Sequence, residues 1–319
     1  MKYLTEYRNL EATQQVIRQI EKVISRPWKI MEICGGQTHS LVRNGLLELL
    51  PEEVQMIHGP GCPVCVTPMQ LIDLAVELMQ KGVILCSFGD MVRVPGSSIS
   101  LQEAKSRGGD LRILYSPLEA VRIARENPDR EVVFFAVGFE TTAPANALSV
   151  LQAQKEGLQN YSILVSHVLV PPAMEGILDD PYCALDAFLG AGHVCAIMGY
   201  TQYHPIAARY KIPIVVTGFE PLDLVQGIYR AVLQLEKGEY RVENQYARAV
   251  TEDGNLAAQK VIHQVFEVAD RQWRGIGTIP DSGYVLREDY SAYDASKKFS
   301  LEEELGTESG ECIAGAILK

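Results

Sequence analysis

EVVFFAVGFETTAPANALSVLQAQKE, residues Glu131–Glu156, decides the fold class. Its opening, Glu131–Val137, is apolar almost throughout and rich in valine and phenylalanine. A strand covered on both faces reads this way, as in a parallel sheet. Gly138 breaks the run, and Ala143–Glu156 follows with helical spacing. The same alternation recurs on either side. Further strands are expected at Lys29–Ile33, Val54–Ile57, Val83–Ser87, Leu111–Tyr115, Ser162–Val168, Val194–Met198 and Ile212–Thr217. Helices are expected at Leu10–Ile24, Met69–Lys81, Leu118–Glu126, Pro181–Leu189 and Pro221–Glu236. Strand and helix alternating this often predict an α/β fold with doubly wound parallel sheets.

The chain has 319 residues, which suggests two domains and a smaller third. The expected division is an α/β domain at 28–130, a second at 131–239, and a mixed C-terminal unit at 240–319 that packs with the N-terminal helix 1–27. Ala136–Pro144 (AVGFETTAP) and Val216–Asp223 (VTGFEPLD) both set Gly-Phe-Glu between a buried strand and a helix, which raises an internal duplication. The plainer reading is a glycine that ends a strand and a glutamate at the positive pole of a helix. After the expected helix Leu256–Ala269, RGIGTIPDSGY (Arg274–Tyr284) has no strand or helix period and reads as irregular.

Net charge is −11, with 29 basic and 40 acidic residues, which argues against a nucleic-acid binder. The longest strongly apolar run, Val132–Phe139, is far short of the ~20 residues that cross a bilayer. No signal peptide is evident in MKYLTEYRNLEATQQ. A cytoplasmic protein is expected, with its seven cysteines kept as thiols and used as metal ligands or redox groups.

Two cysteine loops carry the chemistry. Cys34, in MEICGGQTHS, follows the first expected strand, with Gly35, Gly36 and His39 close by. A thiol facing a helix N-terminus is expected to have a lowered pKa. The plain alternative is a buried cysteine in a tight turn. Cys62 and Cys65, in IHGPGCPVC, follow the next strand at C-x-x-C spacing, able to chelate a metal or close a reversible disulfide. His58 beside them is either a supporting partner or a core histidine. If parallel strands bring both loops to one edge, three thiols form a site for a soft or borderline metal such as Fe(II). Glu140, His167 and Glu220 stand at expected strand ends, where they either line the same cleft or serve as caps and surface groups. Cys86 and Cys195 lie inside apolar strands and read as small core residues. Cys183 opens an expected helix.

CGGQTHS and HGPGCPVC, with FGDMVRVPGS, FFAVGFETTAP, VSHVLVPPAM, GFEPLDLVQGIY, ENQYARAV and WRGIGTIPDSGY, closely resemble the hydrogenase maturation factor HypD family from about Met31 to Lys319. The resemblance implies a factor that helps build the Fe(CN)2CO group of nickel–iron hydrogenases. It implies a complex with the small chaperone HypC, and cyanide delivered by HypE after loading through HypF. Cys34 carries over as the iron-binding cysteine, Cys62 and Cys65 as the redox or iron-proximal pair, and His39 as the retained histidine. Gln37 stands where the family often has His; it cannot carry a proton near neutral pH but can orient a ligand by hydrogen bonds. The family also carries a 4Fe–4S cluster on four C-terminal cysteines. Cys312 matches the first, Ala314 replaces another, and the chain ends at Lys319. The expectation is a chain that is truncated or cluster-poor, with no ordered cluster. The role implied is an iron-binding scaffold with thiol redox chemistry more than a freely turning-over enzyme. A general thiol–disulfide oxidoreductase using Cys62 and Cys65 is the alternative, and a structural metal-binding module is a third.

Overall fold

The computed structural model describes residues 6–301. The chain forms two compact units that interleave along the sequence. Of the described residues, one takes 6–62 and 170–256; the other takes 63–169 and 257–301. The strands, in chain order, are β1 (Trp28–Glu32), β2 (Val54–His58), β3 (Ile84–Ser87), β4 (Asp110–Ile113), β5 (Val132–Gly138), β6 (Tyr161–His167), β7 (Ala187–Ala191), β8 (Ile214–Thr217), β9 (Val242–Asn244), β10 (Phe266–Trp273) and β11 (Gly277–Leu286).

The first unit is built on a five-stranded parallel sheet in the order β2-β1-β7-β8-β9. Ile30, Leu189 and Val215 of the sheet join Leu224, Val225 and Ile228 of the helix Pro221–Lys237 in one core. The helix Leu10–Val23 adds Ile17 and Ile20 to that core, and Asn9 caps its start by accepting from Ala12 N–H. Ile20 is completely buried, so its truncation to alanine is expected to cost about 2–5 kcal/mol. Glu236 fastens the helix exit by accepting from Trp28 Nε1 at 2.7 Å and Ser25 Oγ at 2.6 Å. The N-terminal helix thus belongs to the first unit instead of packing with a C-terminal one.

The second unit has a four-stranded parallel sheet, β4-β3-β5-β6, and an antiparallel hairpin, β10-β11. Every residue of β5 and β6 is buried, as expected of strands covered on both faces. Val133, Phe135 and Leu164 pack with Leu71, Ile72 and Leu78 of the helix Met69–Gln80.

The α/β class and the parallel sheets agree with the sequence reading. The contiguous division at 130 and 239 does not survive the strand pairing. β1 pairs with β7 across the sequence, so the first sheet closes only after the second unit's sheet has been built. The two sheets share an order: the first strand takes the second on one side and the third and fourth on the other. The Gly-Phe-Glu echo does not follow that symmetry. Its first copy leaves β5, third in its sheet, whereas its second leaves β8, fourth in its sheet.

Four local expectations are corrected. Val194–Met198 is not a strand but part of the helix Gly192–Met198, and Pro181–Leu189 is not a helix, because β7 occupies Ala187–Ala191. AFLGA and HVCAIM are both short and apolar, and periodicity alone does not separate strand from helix in such runs. Cys183 consequently lies in a turn, its N–H bonded to Asp180 O at 2.9 Å. The helix at Leu256 stops at Val265, and RGIGTIPDSGY forms the turn and second strand of the hairpin. A register shift between Ala269 and Arg271 and uneven exposure along β11 hide its alternation.

Candidate functional site

In an open α/β sheet, ligands gather beyond the carboxyl ends of the two strands where the strand order reverses. In the first unit those strands are β1 and β7. β1 runs into Ile33 and Cys34; β7 runs into Gly192 and His193. The Cys34 Sγ lies 3.9 Å from His193 Nδ1 and 3.8 Å from Nε2.

Cys34 caps the helix Gly35–Arg43, and its sulfur accepts from Gly36 N–H at 3.3 Å. The side chain is only 5% exposed. Burial lifts the thiol above its usual range, against the pull of the Gly36 and Gln37 amides. The expected lowering is therefore reversed, because desolvation outweighs the helix N-terminus.

The β2 loop lies directly on Cys34. Gly59 N–H donates to Glu32 O, and Gly35 N–H to Gly61 O, both at 2.9 Å. A Cβ on Gly61 would stand 2.3 Å from Cys34 Cα and 2.4 Å from its nitrogen. Glycine is required there for backbone to touch backbone. This junction brings the half-buried Cys62 next to the Cys34 loop. The unit boundary falls between Cys62 and Pro63, and the exposed Cys65 sits on the short helix Pro63–Val66 of the second unit. The misread hairpin helps fix that helix, since Arg274 N–H donates to Val66 O at 2.8 Å.

Around Cys34 the polar groups are tied down. Glu32, fully buried at the end of β1, accepts from Thr38 Oγ1 at 2.5 Å and stands 2.5 Å from His58 Nδ1. Burial raises its pKa, and the Thr38 and His58 hydrogen bonds oppose the shift. His58 is half-buried and paired with Glu32. Gln37 is fully buried and donates to Gly190 O at 3.1 Å and Thr217 Oγ1 at 2.7 Å. It ties the helix start to the ends of β7 and β8. Among the described residues, its Oε1 has no hydrogen-bond partner. Phe219, from the second Gly-Phe-Glu, meets the His193 ring edge-on at 5.1 Å.

The other expected residues fall elsewhere. His39 is exposed on the Cys34 helix. Glu220 caps the helix Pro221–Lys237 and forms a fork with Arg8, at 2.6 and 2.9 Å. Glu140 is buried just past β5 in the second unit. His167 closes β6, fully buried, with Nε2 2.8 Å from Asn146 Nδ2. Burial, helped by the Arg271 charge, lowers its pKa to about 3. Cys86 is buried in β3, its thiol pushed up to about 12 by burial. Cys195 is buried too, on a helix instead of the expected strand. Cys312 lies outside the described residues. Among the described residues, no three His, Cys, Asp or Glu side chains gather as a metal-binding group. No helix there is long and apolar enough to cross a membrane.

Sequence reasoning missed His193 and Glu32. Glu32 was visible as a carboxylate in an otherwise largely apolar strand, a residue type rarely buried without a partner. His193 was hidden by the misplaced strand: with β7 at Ala187–Ala191, it stands at a strand end.

Fold and site define a class: an α/β protein with a thiol–imidazole contact at the carboxyl edge of a parallel sheet and a second thiol loop lying on it. A family model for HypD, described as the hydrogenase formation hypA family, matches residues 11–319. The hydrogenase maturation factor HypD of Azotobacter vinelandii is 46% identical over all of this chain and 87% of its own length. That of Rhodobacter capsulatus is 44% identical over all of this chain and 88% of its own. That of Escherichia coli K12 is 46% identical over 94% of this chain and 83% of its own. The chain belongs to the HypD family of hydrogenase maturation factors.

Proposed function

We propose that the chain is an iron scaffold on which the Fe(CN)2CO group of a nickel–iron hydrogenase is assembled. The iron is cargo, taken up at Cys34 and passed on when its ligands are complete. A HypC-like chaperone shares the iron, and a HypE-like carrier brings cyanide. The work is done in the cytoplasm, where thiols stay reduced.

One observation carries this reading: the Gly61–Cys34 backbone junction, which sets the Cys62 loop on the Cys34 loop at the sheet's reversal point. A buried thiol exchanges its proton for a borderline metal and shields it from water. Few protein donors leave positions open for cyanide and carbonyl. Fixing those ligands needs electrons, and Cys62 with Cys65 release two electrons and two protons on closing a disulfide. Gln37 holds the loop from below by its bonds to Gly190 and Thr217, a positioning role that needs no proton of its own. Cys312 matches one ligand of the 4Fe–4S cluster that the family resemblance implies.

The test is anaerobic purification with the small chaperone, followed by infrared spectroscopy. Bands of bound cyanide and carbonyl are expected, and Cys34→Ala is expected to abolish them. Bands that survive Cys34→Ala would overturn the assignment. Turnover of unrelated disulfide substrates without iron or partner would favour the oxidoreductase alternative.

A further inference from the structure

We infer that the N-terminal turn Glu6–Arg8 is a latch on the Cys34 thiol: Tyr7 and Arg8 are positioning residues that hold Phe219 beside the sulfur and so govern how readily it is reached. The bearing of this latch on iron cargo rests on the reading of Cys34 as the iron thiol.

The thiol has an aromatic wall. A Cβ on Gly36 would stand 3.3 Å from Phe219 Cδ1 and Cε1 and 3.5 Å from Cys34 Sγ, so ring and sulfur lie against the same glycine. Phe219 also meets the His193 ring edge-on, and a nitrogen of that ring lies 3.8 Å from the sulfur. Ser40, on the Cys34 helix, donates from Oγ to Phe219 O at 2.5 Å. Moving Phe219 therefore opens one side of Cys34.

Both neighbours of Phe219 are fixed by one polar group. Gly218 N–H donates to Gln245 Oε1 at 3.3 Å, and Glu220 N–H to Asp223 Oδ2 at 3.2 Å. Gln245 Nε2 and two guanidinium nitrogens of Arg248 donate in turn to Asp223, at 2.9, 2.7 and 2.6 Å. A Cβ on Gly218 would stand 2.3 Å from Asp223 Oδ2 and 2.7 Å from Tyr246 Cε2, so the turn lies directly on that group. Tyr246 meets the Phe219 ring at a right angle, with centroids 6.4 Å apart.

The N-terminal turn grips the same group. The Arg248 guanidinium carbon lies 3.6 Å from the Tyr7 ring centre and 4.4 Å from that of Tyr246. Arg8 forks onto Glu220, the residue after Phe219. The layers differ in strength. Asp223 is fully buried and the Arg248 side chain 15% exposed, whereas the Arg8 side chain is 60% exposed. Exposed ion pairs and single cation–π contacts are weak, so the turn can lift while the buried pair beneath it stays closed. A segment held this way opens locally, well below the cost of global unfolding.

The test follows iodoacetamide labelling of the native full chain by mass spectrometry, in a Cys62→Ser, Cys65→Ser background that silences the two accessible loop thiols. Tyr7→Ala is expected to speed labelling of Cys34 about tenfold and Arg8→Gln about threefold. Cys195, buried in the same unit, and Cys86, buried in the other, are expected to keep their rates. Phe219→Ala is expected to speed Cys34 labelling directly, and adding Tyr7→Ala to it should give no further gain, because the latch acts through that ring. Circular dichroism checks each fold. Should Phe219→Ala unfold, Phe219→Leu keeps an apolar side chain without the ring, and the same lack of further gain is expected. An unchanged Cys34 rate in Tyr7→Ala and Arg8→Gln overturns the inference. So does equal acceleration of Cys34 and Cys195, or full multiplication of the Tyr7→Ala and Phe219→Ala effects. Cyanide and carbonyl bands that survive Cys34→Ala overturn the iron reading alone and leave the latch standing.

Discussion

Gly61→Ala should separate the two cysteine loops, and Gly35→Ala should not. An alanine Cβ at position 61 would lie 2.3, 2.4 and 2.5 Å from Cys34 Cα, Cys34 N and Ile33 C. Favourable carbon contacts lie near 3.5–4.0 Å, so the overlap exceeds about an ångström. All three atoms are backbone, so no side chain can swing aside. Relief requires the loop to withdraw, which breaks the Gly35–Gly61 hydrogen bond at 2.9 Å. Overpacking of this kind costs about 1–3 kcal/mol, and the lost bond about 1 more, giving about 2–4 kcal/mol. At position 35 the added Cβ meets Gly61 O at 3.5 Å and Cys62 Cβ at 3.8 Å, ordinary contacts. That change is expected to stay within about 1 kcal/mol. The assay is urea unfolding followed by Trp28 fluorescence in a Trp273→Phe background, because Trp28 belongs to the first unit and Trp273 to the second. Equal effects of the two substitutions, or a Gly61→Ala cost below about 1 kcal/mol, would refute the junction as the element that joins the loops.

Three further outcomes are expected. His167 has a folded pKa near 3, against about 6.5 unfolded, so its contribution is complete above about pH 6.5 and lost as pH falls toward 3. Wild-type stability should therefore drop by on the order of 2 kcal/mol between pH 6.5 and 5, and His167→Gln should flatten that slope in urea titrations. Arg248 grips the fully buried Asp223 through two bonds, at 2.7 and 2.6 Å. Arg248→Met strands that carboxylate and should lower the urea midpoint by the equivalent of about 3–5 kcal/mol, whereas a change under about 1 kcal/mol would show the pair to be dispensable. Thiol labelling of the native chain, mapped by mass spectrometry, should modify the exposed Cys65 first, Cys62 next, and the buried Cys34, Cys86 and Cys195 last; early labelling of Cys86 would contradict the packing of β3.

What was legible in the sequence followed from burial. β5 and β6 are wholly buried in place, and their boundaries were read to within a residue. The cysteine loops were readable from their glycines and thiol spacing just after expected strands, but the backbone contacts that Gly59 and Gly61 make were not. β7 was not readable, because AFLGA lacks β-branched residues and its neighbour HVCAIM mimics a strand. That one slip concealed both the interleaving of the units and the place of His193. The role of Gln37 was hidden for a different reason: its partners, Gly190 and Thr217, lie far along the chain and meet it only in the folded sheet. Glu220 read as a site residue because a glutamate at a strand end looks the same whether it faces a ligand or, as here, Arg8.

The central claim is that hydrogenase iron is held by Cys34 at the reversal point of the first sheet. Its most direct measurement is Mössbauer spectroscopy on the chain purified anaerobically, with its small chaperone, from cells fed enriched iron. A low-spin iron signal is expected in the wild type and in Cys86→Ala, and none in Cys34→Ala. The same signal at full intensity in Cys34→Ala would contradict the account.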